Sequence, residues 1–234
     1  MMAEDQALPE KSKYIAEDLM MMIVHDLKGP AGEIIANLEM LGGYITDEFG
    51  AEILLTAVNS TEELLEMIVS ILDVGKMESG EMNLVWAPVD LVELMKEKVA
   101  KVEGMAMREN KNILFESRLD KYETKGDRDI LSRVFWNILS NANNHTSLGG
   151  TIRITMDKAG DGVDISISDD GSGIAADHLE HVFDKFYQPE GVASKKYSSG
   201  LGLSFCQMAV KAHGGEIRAE SAPGKGATFC IHLP

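Results

Sequence analysis

Between residues 51 and 74 a mostly apolar set of side chains returns at alternating intervals of four and three: Leu54, Val58, Thr61, Leu65, Ile68 and Leu72. That spacing is a heptad seam, and it commits the segment to a helix packed lengthwise against another helix. Residues 15–46 supply the partner. At about 100° per residue, Leu19, Ile23, Leu27, Ile34, Leu38, Leu41 and Ile45 fall in one apolar stripe. Gly42-Gly43 and Gly50 bracket a connecting loop, which predicts an antiparallel helical hairpin. Leu64 and Ile71 widen the second seam beyond what two helices can cover. Either a second hairpin completes a four-helix bundle in a homodimer, or the rest of the chain covers these faces in a monomer. The homodimer is the more economical solution.

Composition narrows the remainder. Of 234 residues, 44% are hydrophobic and 26% charged, which excludes wholesale disorder and fibrous classes. The longest aliphatic run, Leu19 to Val24, ends at His25, far short of the roughly 20 residues that span a bilayer. The first residues show no basic segment followed by an apolar one, so no signal peptide and a cytoplasmic location are expected. Two cysteines, Cys206 and Cys230, make no disulfide framework and read as reduced thiols. The net charge of −16 is uneven: residues 1–84 carry 4 basic and 17 acidic side chains, residues 85–234 carry 18 and 21. Direct nucleic-acid binding is not expected without a basic face. The asymmetry indicates two modules.

Gly75, Gly80 and Pro88 punctuate the junction. The expected organisation is a leader over 1–13, a helical domain over 14–80, a hinge over 81–88 and a second domain over 89–234. In the latter, residues 89–110, 128–145, 176–187 and 201–213 read as helices. Residues 112–117, 151–156, 163–168, 215–221 and 227–233 read as strands. Without regular βαβ alternation, the fold class is α+β: a helical hairpin forming a dimeric four-helix bundle, then a two-layer α/β sandwich.

Chemistry concentrates in four places. His25 lies opposite the apolar stripe of its helix, so it is expected to face solvent beside Met21 and Met22, and Pro30 is expected to bend the helix near His25-Asp26. Asn137 and Asn141 fall on one face of the 128–145 helix, where asparagine is a poor helix former. Asp169-Asp170-Gly171-Ser172-Gly173 ends a strand, and Gly200-Leu201-Gly202-Leu203 opens a helix. A glycine-rich helix start lets backbone N–H groups approach phosphate. Neither cluster is a P-loop or a dinucleotide fingerprint, and each alone is also compatible with a plain turn. His178 and His181 lack a nearby third ligand and read as surface histidines.

In this order the clusters resemble the catalytic core of a sensor histidine kinase, over about Tyr14 to Pro234. His25-Asp26-Leu27-Lys28-Gly29-Pro30 resembles the H box of the dimerisation and phosphotransfer domain. Asn137 to Thr146 resembles the N box, Asp169 to Gly173 the first glycine box, Val182 to Tyr187 the F box and Gly200 to Leu203 the second glycine box. The second half is similar to the Bergerat-type ATP-binding superfamily.

The resemblance implies ATP and Mg²⁺ as cofactors. It implies His25 as the phosphorylated nucleophile, Asp26 as the group that orients it and takes its proton, and Asn137 beside the transferring phosphate. It implies Asn141 as the Mg²⁺ ligand and Asp169 as the acceptor of the adenine amino group. Asn144, His145, Gly171, Gly173, Ile174, Lys185, Phe186, Tyr187, Ser198, Ser199, Gly200, Leu201, Gly202 and Leu203 complete the implied nucleotide site, with residues 188–199, including Lys195 and Lys196, as an ATP lid. The implied partner is a response-regulator receiver domain, with a homodimer as the working unit and a sensory module in cis or in trans outside this chain. Three positions depart from the family pattern: Asn144 stands where a basic residue is common, Ser198 where a glycine is, and Ile23 where an aromatic is. The runner-up reading is a phosphotransfer or scaffold protein with a degenerate ATP site. An ATP-gated clamp of the gyrase type leaves the hairpin and His25 unexplained.

Overall fold

The computed structural model describes residues 27–188 and 200–234. His25, Asp26, Met21 and Met22, the bend expected at the His-Asp pair, and residues 189–199 with Lys195, Lys196, Ser198 and Ser199 lie outside the described residues. The chain divides into two compact units between Glu81 and Met82.

In the first unit, α1 is described over residues 27–42 and α2 spans Glu48–Glu78. Asp47 caps α2, its carboxylate accepting from the Gly50 amide at 2.7 Å. The second helix thus starts earlier than its heptads indicate, and Gly50 belongs to its first turn rather than to the loop. Ala31 and Ile68 are buried, with Leu65, Ile71 and Leu72 packed against them. Leu27, Ile34 and Leu41 of the α1 stripe remain about half exposed, as do Ile53, Leu55 and Leu64 of α2. One helix can cover only one strip of its neighbour, so the hairpin leaves much of its apolar surface uncovered.

The second unit is α+β. It contains β1 (Ala87–Asp90), α3 (Leu91–Ala106), a 3-10 turn (Met107–Glu109), β2 (Asn112–Ser117), β3 (Glu123–Gly126) and α4 (Arg128–His145). Then come β4 (Thr151–Ala159), β5 (Gly162–Asp169), α5 (Ala176–Leu179), α6 (Gly202–Ala212), β6 (Glu216–Ser221) and β7 (Ala227–Leu233). Five strands form one sheet in the order β2-β4-β5-β7-β6. β2 runs parallel to β4, and all other neighbours are antiparallel. The alternating apolar residues Ile152, Ile154, Met156, Ile165, Ile167, Phe229 and Ile231 are buried on one face, under the helices. The opposite face carries polar pairs, Arg153 with Glu116 and His232 with Asp164, each at 2.7 Å.

β1 and β3 pair into a separate two-stranded ribbon that sequence reading does not find. Each of its strands hands over to a capping aspartate. Asp90 accepts from Val92 and Glu93 to start α3, and Asp127 accepts from Asp129 and Ile130 to start α4. The helix expected over 176–187 shrinks to Ala176–Leu179, and turns follow. Phe186 has φ +61°, a left-handed conformation that no helix interior accommodates.

Both cysteines are free, and burial pushes the Cys206 thiol up to about 12, leaving it an inert core group. Among the described residues no helix is long and apolar enough to cross a membrane.

Candidate functional site

The site is organised along α4. Asp127 fixes where the helix begins, and Thr146 fixes where it ends through its amide and hydroxyl, both bonded to the Ala142 carbonyl. Ile130, Leu131, Val134, Ile138 and Leu139 face the core. This leaves Asn137 and Asn141 half-buried at the edge of the helix layer, and Asn144 and His145 exposed.

Near its middle, α4 meets the start of α6: the Asn137 side-chain amide donates to the Gly202 carbonyl at 3.4 Å. At its end, α4 abuts the first glycine cluster so closely that a methyl group on Gly171 would collide with the His145 carbonyl. One helix therefore brings the asparagines, the 169–173 turn and the 200–203 turn around one region. The amide of Phe186 donates to the Gly200 carbonyl at 3.0 Å, which draws Phe186 and its neighbours to the same place.

Asp169 is 7% exposed at the end of β5. Its Oδ1 accepts from the amides of Gly171 at 2.9 Å and Ala227 at 3.3 Å. Among the described residues no protein group is bonded to Oδ2, so one carboxylate oxygen is pinned and the other is available to a ligand. Burial raises the carboxyl above its ordinary range, and the two amides oppose that shift. The turn around Asp169 is closed by Gly226, whose amide donates to the Gly171 carbonyl at 3.1 Å. Gly226 has φ +72°, and a side chain there would strike the Asp169 carbonyl, so only glycine fits on both grounds. Ile174, whose amide donates to Ser221 Oγ at 2.8 Å, is tied to β6.

α6 starts at Gly202 after the buried Leu201, and no side chain caps its N-terminus among the described residues. Its first-turn amides suit an anion. Lys185 and Phe186 are exposed, and Tyr187 is bonded through its hydroxyl to His178 Nδ1 at 2.5 Å. His181 pairs with Asp184 at 2.7 Å. Among the described residues no three side chains form a metal-binding cluster. The residues that sequence reading missed are supporting ones: Asp127, Ser221, Gly226 and His213. Only Asp127, an aspartate before an apolar helix, carried a local signal.

The pinned Asp169 makes a prediction. A raised carboxyl pKa means that folding disfavours the charged form. The cost is absent below the unfolded pKa, appears as pH rises through the raised value, and is fully present above it. Asp169→Asn removes that cost. The variant is expected to melt at or above the wild-type temperature near about pH 7, with the gap closing on acidification towards about pH 4. With its side-chain oxygen held by the two backbone amides, the substituted carboxamide would turn an NH2 donor towards the ligand, and a ligand that donates to Oδ2 is expected to bind roughly a hundredfold more weakly. Calorimetric melting across pH, paired with nucleotide titration, checks both halves. A destabilised variant that still binds tightly would contradict them.

Residues 126–234 match the family described as Histidine kinase-, DNA gyrase B-, and HSP90-like ATPase. The signal transduction histidine-protein kinase BaeS of Escherichia coli is 29% identical over 230 residues, covering 96% of this chain and 48% of BaeS. The sensor protein SrrB of Staphylococcus aureus is 30% identical over 222 residues, covering 93% of this chain and 38% of SrrB. The chain thus spans less than half the length of these curated relatives. Among solved structures, full-length ShkA in complex with AMPPNP has a TM-score of 0.74 at 22% identity, over 93% of this chain and 45% of that one, a likeness of fold. The catalytic domain of histidine kinase ThkA has a TM-score of 0.58 at 26% identity, over 64% of this chain and 96% of that one.

Proposed function

We propose that this chain, whose residues 126–234 match the histidine kinase-, DNA gyrase B- and HSP90-like ATPase family and which is similar over most of its length to the sensor kinases BaeS and SrrB, is a histidine kinase that phosphorylates itself on His25 from ATP and passes the phosphoryl group to an aspartate of a response-regulator receiver domain. The observation that carries the nucleotide half of this reading is the arrangement along α4, which gathers Asn137, Gly202, Gly171 and the half-free carboxylate of Asp169. Asp169 Oδ2 selects adenine, because guanine has no exocyclic amine at the corresponding ring position. The first turn of α6, with Gly200 and Gly202, takes the phosphates. Asn141 offers an amide oxygen, a hard ligand suited to Mg²⁺, which supplies charge neutralisation on the triphosphate when bound.

In the transfer, a ring nitrogen of neutral His25 attacks the γ-phosphorus. The N–P bond forms, the bond to the bridging oxygen breaks, and ADP leaves. The proton of the imidazole passes to Asp26. An aspartate carboxylate of the receiver then takes the phosphoryl group and the histidine is regenerated. The uncovered apolar faces of α1 and α2 suit a second copy of the chain, completing a four-helix bundle.

Incubation with γ-labelled ATP and Mg²⁺, followed by acid and alkali, tests the reading. A phosphohistidine is lost in acid and survives alkali. Absence of label supports instead the scaffold reading that Asn144 and Ser198 favour, and release of free phosphate alone supports a clamp.

The same H box predicts a weak reverse activity. In kinases of this type a Thr or Asn three positions after the H-box acid positions the water that dephosphorylates the partner; here Gly29 stands there. A Cβ at Gly29 meets no atom within 4 Å, so a side chain can be added without a clash. Loss of one such positioning contact costs roughly a hundredfold in rate. Decay of a purified phospho-receiver is expected to be scarcely accelerated by the His25→Gln protein with ADP, and more strongly once Gly29→Thr is added. Fast decay without that second change would overturn the expectation.

A further inference from the structure

Residues 82–86 open the second unit, and there they are tied to both helices that meet at the candidate site. The Val85 amide donates to Asp127 Oδ2 at 2.8 Å. Asp127 Oδ1 caps α4, accepting from Asp129 and Ile130 at 3.1 and 3.2 Å. The Asp127 amide donates to His213 Nε2 at 3.0 Å, and His213 Nδ1 donates to the Ala209 carbonyl in the last turn of α6 at 2.8 Å. These bonds fix the imidazole as the Nδ1–H tautomer with both nitrogens in use. The Trp86 ring lies 5.2 Å from the His213 ring. Asp127 and His213 are 8% and 6% exposed, so neither can exchange its partners for water at little cost.

α4 and α6 are consequently pinned to each other at two points. One pin, Asn137 to Gly202, belongs to the candidate site. The other, Asp127 to His213, belongs to the linker. Two packed helices move as stiff bodies, so a displacement at one pin is felt as a change of spacing at the other.

We propose that docking of Val85 and Trp86 onto the Asp127–His213 junction is energetically coupled to nucleotide binding, which makes residues 82–86 an input element and not a passive tether. The proposal rests on the candidate site binding an adenine nucleotide. Coupling is reciprocal: if the docked linker tightens the candidate site by some factor, nucleotide tightens the linker by the same factor. Val85 and Trp86 are 74% and 53% exposed, so altering them leaves the core intact. Val85→Pro deletes the amide donor, and Trp86→Ala deletes the ring contact.

The experiment titrates ADP with Mg²⁺ into the full chain and its variants, and follows amide exchange at residues 83–86 with and without ADP. The expected result is an affinity loss of about fivefold or more in each variant. It should be restored by Trp86→Phe, with ADP slowing exchange at Val85 in the wild type. Unchanged affinity in both variants, or linker exchange indifferent to ADP, would overturn the coupling while leaving the nucleotide site intact. A wild-type chain that binds no ADP would overturn the nucleotide site, and the coupling with it.

Discussion

His25→Gln is expected to bring acid-labile phosphate incorporation down to background, a loss of at least about a thousandfold, while nucleotide affinity stays at the wild-type value. Glutamine keeps a polar side chain of similar reach but has no basic nitrogen lone pair with which to attack phosphorus. An unperturbed imidazole is largely neutral near pH 7, so the proposed nucleophile needs only positioning and a proton acceptor. Nucleotide affinity is unaffected because the groups assigned to ATP all lie in the unit that begins at Met82. Filter retention of label and calorimetric titration of ADP measure the two halves independently. Label that persists on the variant would assign the phosphate to another histidine.

Asn141→Asp is the complementary case, with the acceptor intact and the donor site damaged. The two side chains are nearly isosteric, so α4 keeps its packing and the change is one of charge. A carboxylate about 4 Å from a phosphate oxygen repels it by roughly 4 kcal/mol at an effective dielectric near 20, equivalent to about a thousandfold. Part of this is returned by tighter attraction for the metal, so a fall of at least about a hundredfold in labelling rate is expected. Oligomeric state, read by sedimentation, should not change. An unaltered rate would remove Asn141 from the metal site.

The parts of this fold that could be read from sequence are those whose signal is local. α4 runs from Arg128 to His145 as its pattern indicates, because an aspartate cap, an apolar stripe and a closing threonine all fall within one stretch. The sheet strands announce themselves by strict alternation in Thr151–Met156 and Ala227–Leu233. The ribbon of Ala87–Asp90 with Glu123–Gly126 does not: each strand has four residues, and its reason for existing lies on the other strand. Phe186 carries no mark of its left-handed backbone. The same divide runs through the site. Asp169, Asn137 and the glycines stand out by residue type, but the bond from Asp127 to His213 spans 86 positions and appears only when α4 and α6 are folded side by side.

A hairpin that turns Leu27, Ile34, Leu41, Ile53 and Leu64 outward gains stability from whatever covers them. If copies supply each other's cover, dilution withdraws it, and melting temperature falls with concentration as for any coupled folding and assembly. Expression level then sets more than the number of molecules: it sets the fraction with an ordered hairpin. On the proposed dimer, a cell that makes very little of this protein would hold the helix assigned the phosphoacceptor largely unassembled, and a silent state at low copy number would need no separate inhibitor.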